Sequence, residues 1–290
     1  MLEAGSFGGW LLTQDGTKFG LTCAHCLPGC LVGNTVASPS TTEITARLDN
    51  IIRYTHLCPQ SRRLPRSKER EAEVALLKAQ YMQLPDNNGV ELRDGSKIKL
   101  IGPDLGILIA KREHYTPILE RHNQLLRSHT RREVCLESAI AQSRLDWAIF
   151  KGSESRVLGN LLTSDDFADK QITRLGDIEP GTSVIKIGRT TGQTEGIVNG
   201  AALQIWETGA LTQEVAVISS SGGTDTGCFA TIGDSGSLVV SLADPLEAVG
   251  LVVGKNDSGI PRWVAVTPLW AVIEDVERVI GKEVEFCGEV

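Results

Sequence analysis

The chain has 290 residues, 41% hydrophobic and 5% aromatic, with 30 glycines and a formal net charge of −7. That length and apolar content allow one large domain with a buried core, and the acidic balance argues against a nucleic-acid binder. No apolar run approaches the roughly 20 residues that span a bilayer and no basic-then-apolar leader follows Met1, so a soluble, cytoplasmic or otherwise intracellular protein without membrane contact is expected.

Val, Ile and Thr recur in short runs parted by Gly and Pro, which predicts many short strands. Phe7 to Thr13, a Gln14-Asp15-Gly16-Thr17 turn and Lys18 to Cys23 read as a hairpin that runs directly into Ala24-His25. Leu31 to Ala37 continues a small antiparallel barrel. From Ser61 the character changes: Ala72, Ala75, Leu76, Ala79 and Met82 predict a helix over 69–84, with Pro65 near its start. Lys97 to Ile101 and Ile107 to Lys111 return to strands around Gly102-Pro103-Asp104. A second helical stripe follows at Ile118, His122 and Leu125, and a third run extends from Glu133 to Arg144. Between Arg53 and Arg132 there are 16 Lys/Arg against 9 Asp/Glu, so this stretch is basic within an acidic chain.

From Leu145 strands dominate again. Thr182 to Thr267 alternates short Val/Ile-rich runs with turn residues, as a second barrel does. Val272, Val276, Val279 and Ile280 mark a closing helix over Trp270 to Ile280. The expected organisation is one domain, 1–290: a first barrel at 5–151 with a basic helical insert at about 55–144, a second barrel at 175–270, and a C-terminal helix at 268–281.

The chemistry centres on Gly233-Asp234-Ser235-Gly236-Ser237. A serine hydroxyl needs a base to take its proton, a group to orient that base, and N–H donors for the developing oxyanion. Glycines on either side of Asp234-Ser235 allow a tight turn that exposes Ser235 and aims the N–H groups of Gly233 and Ser235 at one spot. Leu238 to Ser241 and Val249 to Val253 give that turn a rigid base. Of the five histidines, His56, His114, His122 and His129 fall in the basic insert, whereas His25 ends a strand, where a side chain can face a cleft. Asp146 lies in Leu145-Asp146-Trp147-Ala148-Ile149, an apolar setting that costs several kcal/mol unless the carboxylate is paired. A neighbouring histidine meets that demand.

Ala-His-Cys after a Gly-rich hairpin, an apolar-flanked Asp and Gly-Asp-Ser-Gly, in that order, resemble the trypsin/chymotrypsin clan of serine proteases. The resemblance implies an all-β fold of two packed six-stranded antiparallel barrels, a His25, Asp146, Ser235 triad, an oxyanion hole from Gly233 and Ser235, and peptide-bond hydrolysis through an acyl-enzyme. Lys186-Ile187-Gly188-Arg189-Thr190-Thr191-Gly192-Gln193-Thr194-Glu195-Gly196 is similar to the hairpin opening the second barrel in intracellular trypsin-like proteases of fungi. By family position Phe229 and Val253-Gly254-Lys255 border the primary specificity pocket. Phe229 in place of an acid argues against strict cleavage after Lys or Arg, and Lys255 either favours an acidic side chain or points to solvent.

The seven cysteines, at 23, 26, 30, 58, 135, 228 and 287, are odd in number and read as reduced thiols. Cys23, Cys26 and Cys30 lack the second ligand pair of a zinc site, so neither metal nor cofactor is expected. Cys26 stands where the family has a disulfide cysteine, but the opposing hairpin offers Trp10. The chain begins almost at its first hairpin, so no propeptide and no freed N-terminus beside Asp234 are expected. An Arg, a backbone N–H or a bound partner must then hold that carboxylate. The basic insert is either a solvated surface or a docking face for an acidic protein partner. The competing reading is a catalytically silent protease-fold module that uses the insert for binding.

Overall fold

The computed structural model describes residues 5–37, 82–83, 90–91, 97–100, 104–116, 143–152, 160–162, 170–207, 210–220, 228–242, 245–256 and 263–286. They belong to two compact units, one of residues 3–34 with 107–290 and one of residues 35–106. In the larger unit, β1 (Gly9–Thr13) and β2 (Lys18–Thr22) form the expected hairpin, with Leu11 opposite Phe19. The carboxylate of Asp15 closes its turn by accepting from the Thr13 hydroxyl at 2.6 Å and the Thr17 N–H at 3.2 Å, which is why a short acid suits that corner.

The smaller unit holds β3 (Thr35–Ala37), β4 (Met82–Gln83), β5 (Val90–Glu91) and β6 (Lys97–Leu100), of which the last three form a sheet in the order β4-β6-β5. The helix expected over 69–84 therefore cannot reach its predicted end: Met82 pairs with Leu100 and Gln83 with Lys99. In the sequence Pro85 follows Leu84, and a proline disfavours helical backbone in the residue before it. Residues 69–81 and the helix expected from Ile118 lie outside the described residues. The run expected from Glu133 to Arg144 is outside them too, except at its end, where Ser143 and Arg144 are strand.

Two long strands follow, β7 (Asp104–Thr116) and β8 (Ser143–Gly152). Then come β9 (Leu161–Leu162), β10 (Lys170–Gln171) and β11 (Arg174–Leu175). The second-barrel strands are β12 (Ser183–Gly188), β13 (Gly192–Val198), β14 (Leu203–Glu207), β15 (Ala210–Ser219), β16 (Leu238–Ser241), β17 (Glu247–Asn256) and β18 (Trp263–Pro268). Helix α1 (Leu269–Ile280) and β19 (Val284–Phe286) end the described chain.

The first sheet runs β19-β1-β2-β8-β7 through this unit. The second closes on itself: β12 pairs β13, β13 pairs β15, β15 pairs β18, β18 pairs β17, β17 pairs β16, and β16 returns to β12. Closure leaves no edge among these six strands. Val184, Val198, Val215, Val217, Val239, Val249, Val252, Val264 and Val266 fill its interior. This is the expected all-β class with a closing helix.

Helix α1 buries Leu269, Val272, Ile273 and Val276, while Val279 is 40% exposed. Val272 and Val276 thus lie on the buried stripe as expected and Ile280 packs partly buried against the core, whereas Val279 turns outward. Gly281, at φ 70, caps the helix in the left-handed conformation. Asp275, on the buried face, accepts from the indole N–H of Trp147 at 2.8 Å, which fixes the helix against β8.

Candidate active site

The first half of the site is built on the β2–β8 pair. Thr22 stands opposite Ala148, so continuing the antiparallel register sets Asp146 against the 3-10 turn Ala24–Cys26 that follows β2. Asp146 is wholly buried. Its Oδ1 accepts the His25 backbone N–H at 3.1 Å, and its Oδ2 takes a short hydrogen bond from His25 Nδ1. Arg144, two residues back along β8, brings Nη2 to 3.2 Å from the same oxygen. The carboxylate thus orients the imidazole at both backbone and side chain. The Asp146 hydrogen bond, and after it the one to Cys26, hold the His25 pKa above its ordinary value against the opposing effect of burial.

The second half is the turn between Thr231 and Leu238. Asp234 N–H donates to Thr231 O and Ser237 N–H to Asp234 O, each at 3.0 Å, while Gly236 N–H reaches Val252 O on β17 at 2.8 Å. Gly233 adopts φ 95, open to glycine and costly for other residues. Gly233, Asp234, Gly236 and Ser237 are buried, whereas Ser235 is partly exposed at the apex. Neither the Gly233 nor the Ser235 N–H has an acceptor among the described residues, so both donors stand open. Ser235 Oγ makes no hydrogen bond to His25 among the described residues.

Asp234, fully buried, is anchored from the β12–β13 hairpin. Its Oδ1 accepts the N–H groups of Thr190 at 2.8 Å and Thr191 at 3.2 Å, and its Oδ2 accepts the Thr191 hydroxyl at 2.8 Å and the Thr231 N–H at 2.9 Å. Lys186 Nζ, itself with no exposed side-chain surface, lies 3.6 Å from Oδ2. It also donates to Gly192 O at 3.1 Å and, in a short bond, to the Thr191 hydroxyl. Burial pushes the Asp234 carboxyl up, but the Thr231 and Thr190 amides, the Thr191 hydroxyl and the Lys186 charge outweigh it and leave the pKa below its usual value. Burial pushes Lys186 down, against the pull of Asp234. A Cβ at Gly188 would collide with the Asp234 carboxylate, so the glycine lets the hairpin close over it.

Ser6 ties the N-terminal segment to this turn. Its hydroxyl donates to Gly233 O at 3.0 Å and accepts Arg189 N–H at 2.9 Å, and its N–H donates to Ser235 O at 2.7 Å. Sequence reasoning missed Ser6, Arg144 and Lys186. The first two carried no motif, and a lysine in Val184-Ile185-Lys186-Ile187 reads as solvent-facing.

Of the residues expected at the specificity pocket, Phe229 and Val253 are buried, and the space in front of Gly254 is open for 4 Å. Lys255 turns inward to donate to the Thr231 hydroxyl at 3.0 Å. Cys23 Sγ, a His25 ring nitrogen and an Asp146 oxygen lie within 4.8 Å of one another. A metal there would have to displace the His25–Asp146 bond and the contact of Cys23 with Val252 O. His114 lies on β7; His56, His122 and His129 are outside the described residues.

The family model for peptidase family S64 matches residues 134–282, just over half of the chain. The chain belongs to peptidase family S64. The matched stretch includes Asp146, Lys186 and Ser235 and leaves out His25. Among solved structures, Protease A of Thermobifida fusca matches at 12% identity over 99% of each chain, with a TM-score of 0.46. Nocardiopsis protease matches at 12% identity over 98% of this chain and 97% of its own, with a TM-score of 0.43. The S64 chain is therefore a peptidase, acting on protein or peptide substrates. No helix among its described residues is long and apolar enough to cross a membrane.

Proposed function

We propose that this peptidase is a serine endopeptidase that works through an acyl-enzyme. Ser235 Oγ attacks the scissile carbonyl, His25 takes its proton and later delivers it to the leaving amine, and Asp146 holds the imidazole in the productive tautomer. The open N–H groups of Gly233 and Ser235 receive the oxyanion. The observation that carries this reading is the pairing of buried Asp146 with half-buried His25, together with a serine turn whose Gly233 and Ser235 N–H groups have no acceptor among the described residues. Lys186 and the Thr190, Thr191 and Thr231 donors hold Asp234 in place of a freed N-terminus, so the turn stands formed without activation cleavage.

Lys255, bonded to Thr231 beside the turn, favours an acidic substrate side chain. The narrower likeness to intracellular trypsin-like proteases of fungi belongs to the same proposal. It is supported by Cys23, Cys26, Cys30 and Cys228, which are free thiols and suit a reducing compartment. An acidic protein partner docks on the basic insert.

A fluorophosphonate probe tests the mechanism. Folded wild type labels at Ser235 and the Ser235→Ala variant does not. Failure of the folded wild type to label, or labelling that survives Ser235→Ala, would overturn it.

A further inference from the structure

Cys23-Ala24-His25-Cys26 places two thiols around the proposed base, and the proposed chemistry uses neither. Cys26 N–H donates to Cys23 O at 3.2 Å, so the two cysteines sit at the ends of one tight turn. Both are free; Cys23 is wholly buried and Cys26 is 8% exposed.

Their sulfurs reach across to the two sides of the nucleophile turn. Cys23 Sγ donates to Val252 O at 3.3 Å, the same carbonyl that receives Gly236 N–H. Cys26 Sγ donates to Ser235 O at 3.5 Å, the same carbonyl that receives Ser6 N–H. While protonated, the two thiols thus dock the histidine turn onto the backbone of the serine turn.

The two thiols are also chemically unequal. The Cys26 thiol is drawn down to about 6 by its hydrogen bond with Cys23, against burial, and with further help from the His25 imidazole. Burial, more than any other cause, pushes the Cys23 thiol up. A thiolate-prone cysteine with a second thiol three residues away is the arrangement of an attacking and a resolving sulfur.

We propose that Cys23 and Cys26 are a modification site, oxidised by hydrogen peroxide to a disulfide that switches the peptidase off. The Cys26 thiolate attacks one peroxide oxygen, the O–O bond breaks, and the released hydroxide takes a proton to become water. Cys23 sulfur then attacks the resulting sulfenic acid, its thiol proton leaving with the displaced hydroxide as a second water. Two thiols lose two electrons and one peroxide is reduced to two waters. The disulfide has no S–H to donate, so both contacts with Val252 and Ser235 are lost, and joining the sulfurs deforms the turn that carries His25. An added dithiol such as dithiothreitol reverses the change by exchange.

The switch rests on the serine-peptidase reading, whereas formation of the disulfide does not, so the two are measured separately. The reduced protein is treated with hydrogen peroxide, digested and mapped by mass spectrometry after thiol alkylation, with fluorophosphonate labelling of Ser235 run in parallel. The expected map shows an unalkylated Cys23–Cys26 peptide two hydrogens lighter than the reduced one. Labelling is expected to fall by about 100-fold, the loss that misplacing a general base brings, and to return with dithiothreitol. Cys26→Ser and Cys23→Ser, each keeping a donor, are expected to resist the same treatment.

A map without this disulfide, or with Cys26 only over-oxidised, overturns the modification site. A disulfide with unchanged labelling, or inhibition that persists in Cys26→Ser, overturns the switch. A reduced wild type that never labels overturns the serine-peptidase reading and the switch with it, while the map still decides whether the disulfide forms. Should either variant fail to fold, the wild-type map and its reversal by dithiothreitol decide alone.

Discussion

Asp146 and Asp234 are both wholly buried carboxylates beside a basic side chain, yet their surroundings differ in one respect. The imidazole beside Asp146 has a side chain 33% exposed, whereas the lysine beside Asp234 has no exposed surface. In the proposed mechanism the first pair moves a proton. The other is arranged to fix backbone, because Asp234 also gathers the amides of Thr190, Thr191 and Thr231. Replacing a member of the first pair should therefore damage rate more than stability, and a member of the second should do the reverse.

The largest effect is expected at Asp146→Asn. The carboxamide fits the same space but no longer selects the tautomer of His25, and the loss of rate in triads of this kind is about 10⁴-fold. Active-site titration with matched thermal unfolding checks it. A rate within tenfold of wild type, on the order of one hydrogen bond's contribution, would remove Asp146 from its proposed role. Next comes Lys186→Met, which keeps the bulk and deletes the charge. Stripping one partner from a buried pair costs about 3–5 kcal/mol, read by denaturant unfolding.

The same variant sharpens the comparison through pH. The folded pKa of Asp234 lies below its unfolded value of 3.8, so its contribution to stability is complete above that value and is lost as pH falls through the lower folded one. Without Lys186 the folded value rises, and acid unfolding should begin at a higher pH than in wild type. An unchanged acid midpoint would show that the threonine donors hold Asp234 without the lysine.

The two ends of the site also differed in how far sequence revealed them. Gly233-Asp234-Ser235-Gly236, His25 and Asp146 were legible because their neighbours were local: glycines for the turn, a strand end for the histidine, apolar flanks for the acid. Barrel strands were legible as short Val/Ile-rich runs between turn residues, and β16 matches its expected bounds of Leu238–Ser241. Lys186 and Ser6 were not legible, because each acts on a residue distant in sequence or through a burial that its own neighbours do not reveal, and Arg144, though only two residues from Asp146, carries no motif. Ser6 meets Gly233 across 227 positions. Lys186 belongs to a strand in which Val184, Ile185 and Lys186 are buried in succession, so no alternation marks it.

Ser6→Ala tests whether the nucleophile turn depends on that distant contact. The substitution leaves Gly233 O and Arg189 N–H without the hydroxyl, a cost of about 1–3 kcal/mol for buried groups left unsatisfied. Labelling should slow by less than the roughly 100-fold that loss of a whole oxyanion donor brings, because the peptide is loosened and not removed. Unaltered labelling and stability together would mean that the turn holds its shape without Ser6.

The smallest effect is expected at Cys26, beside the His25–Asp146 pair. Asp146 and then Cys26 hold the His25 pKa above its unperturbed 6.5, so the imidazolium is favoured at rest and the base form is gained only as pH rises. The rising limb of the labelling rate should therefore lie on the alkaline side of 6.5. The stability that protonated His25 contributes is full below 6.5 and is lost as pH rises through the higher folded value. Cys26→Ala removes the second cause and leaves the first, so the limb should move toward lower pH and raise the labelling rate at pH 7 modestly, while the limb stays above 6.5. A limb at 6.5 in the wild type would mean that Asp146 orients the imidazole without stabilising its charge, and the contrast with the Lys186–Asp234 pair would then be one of geometry alone.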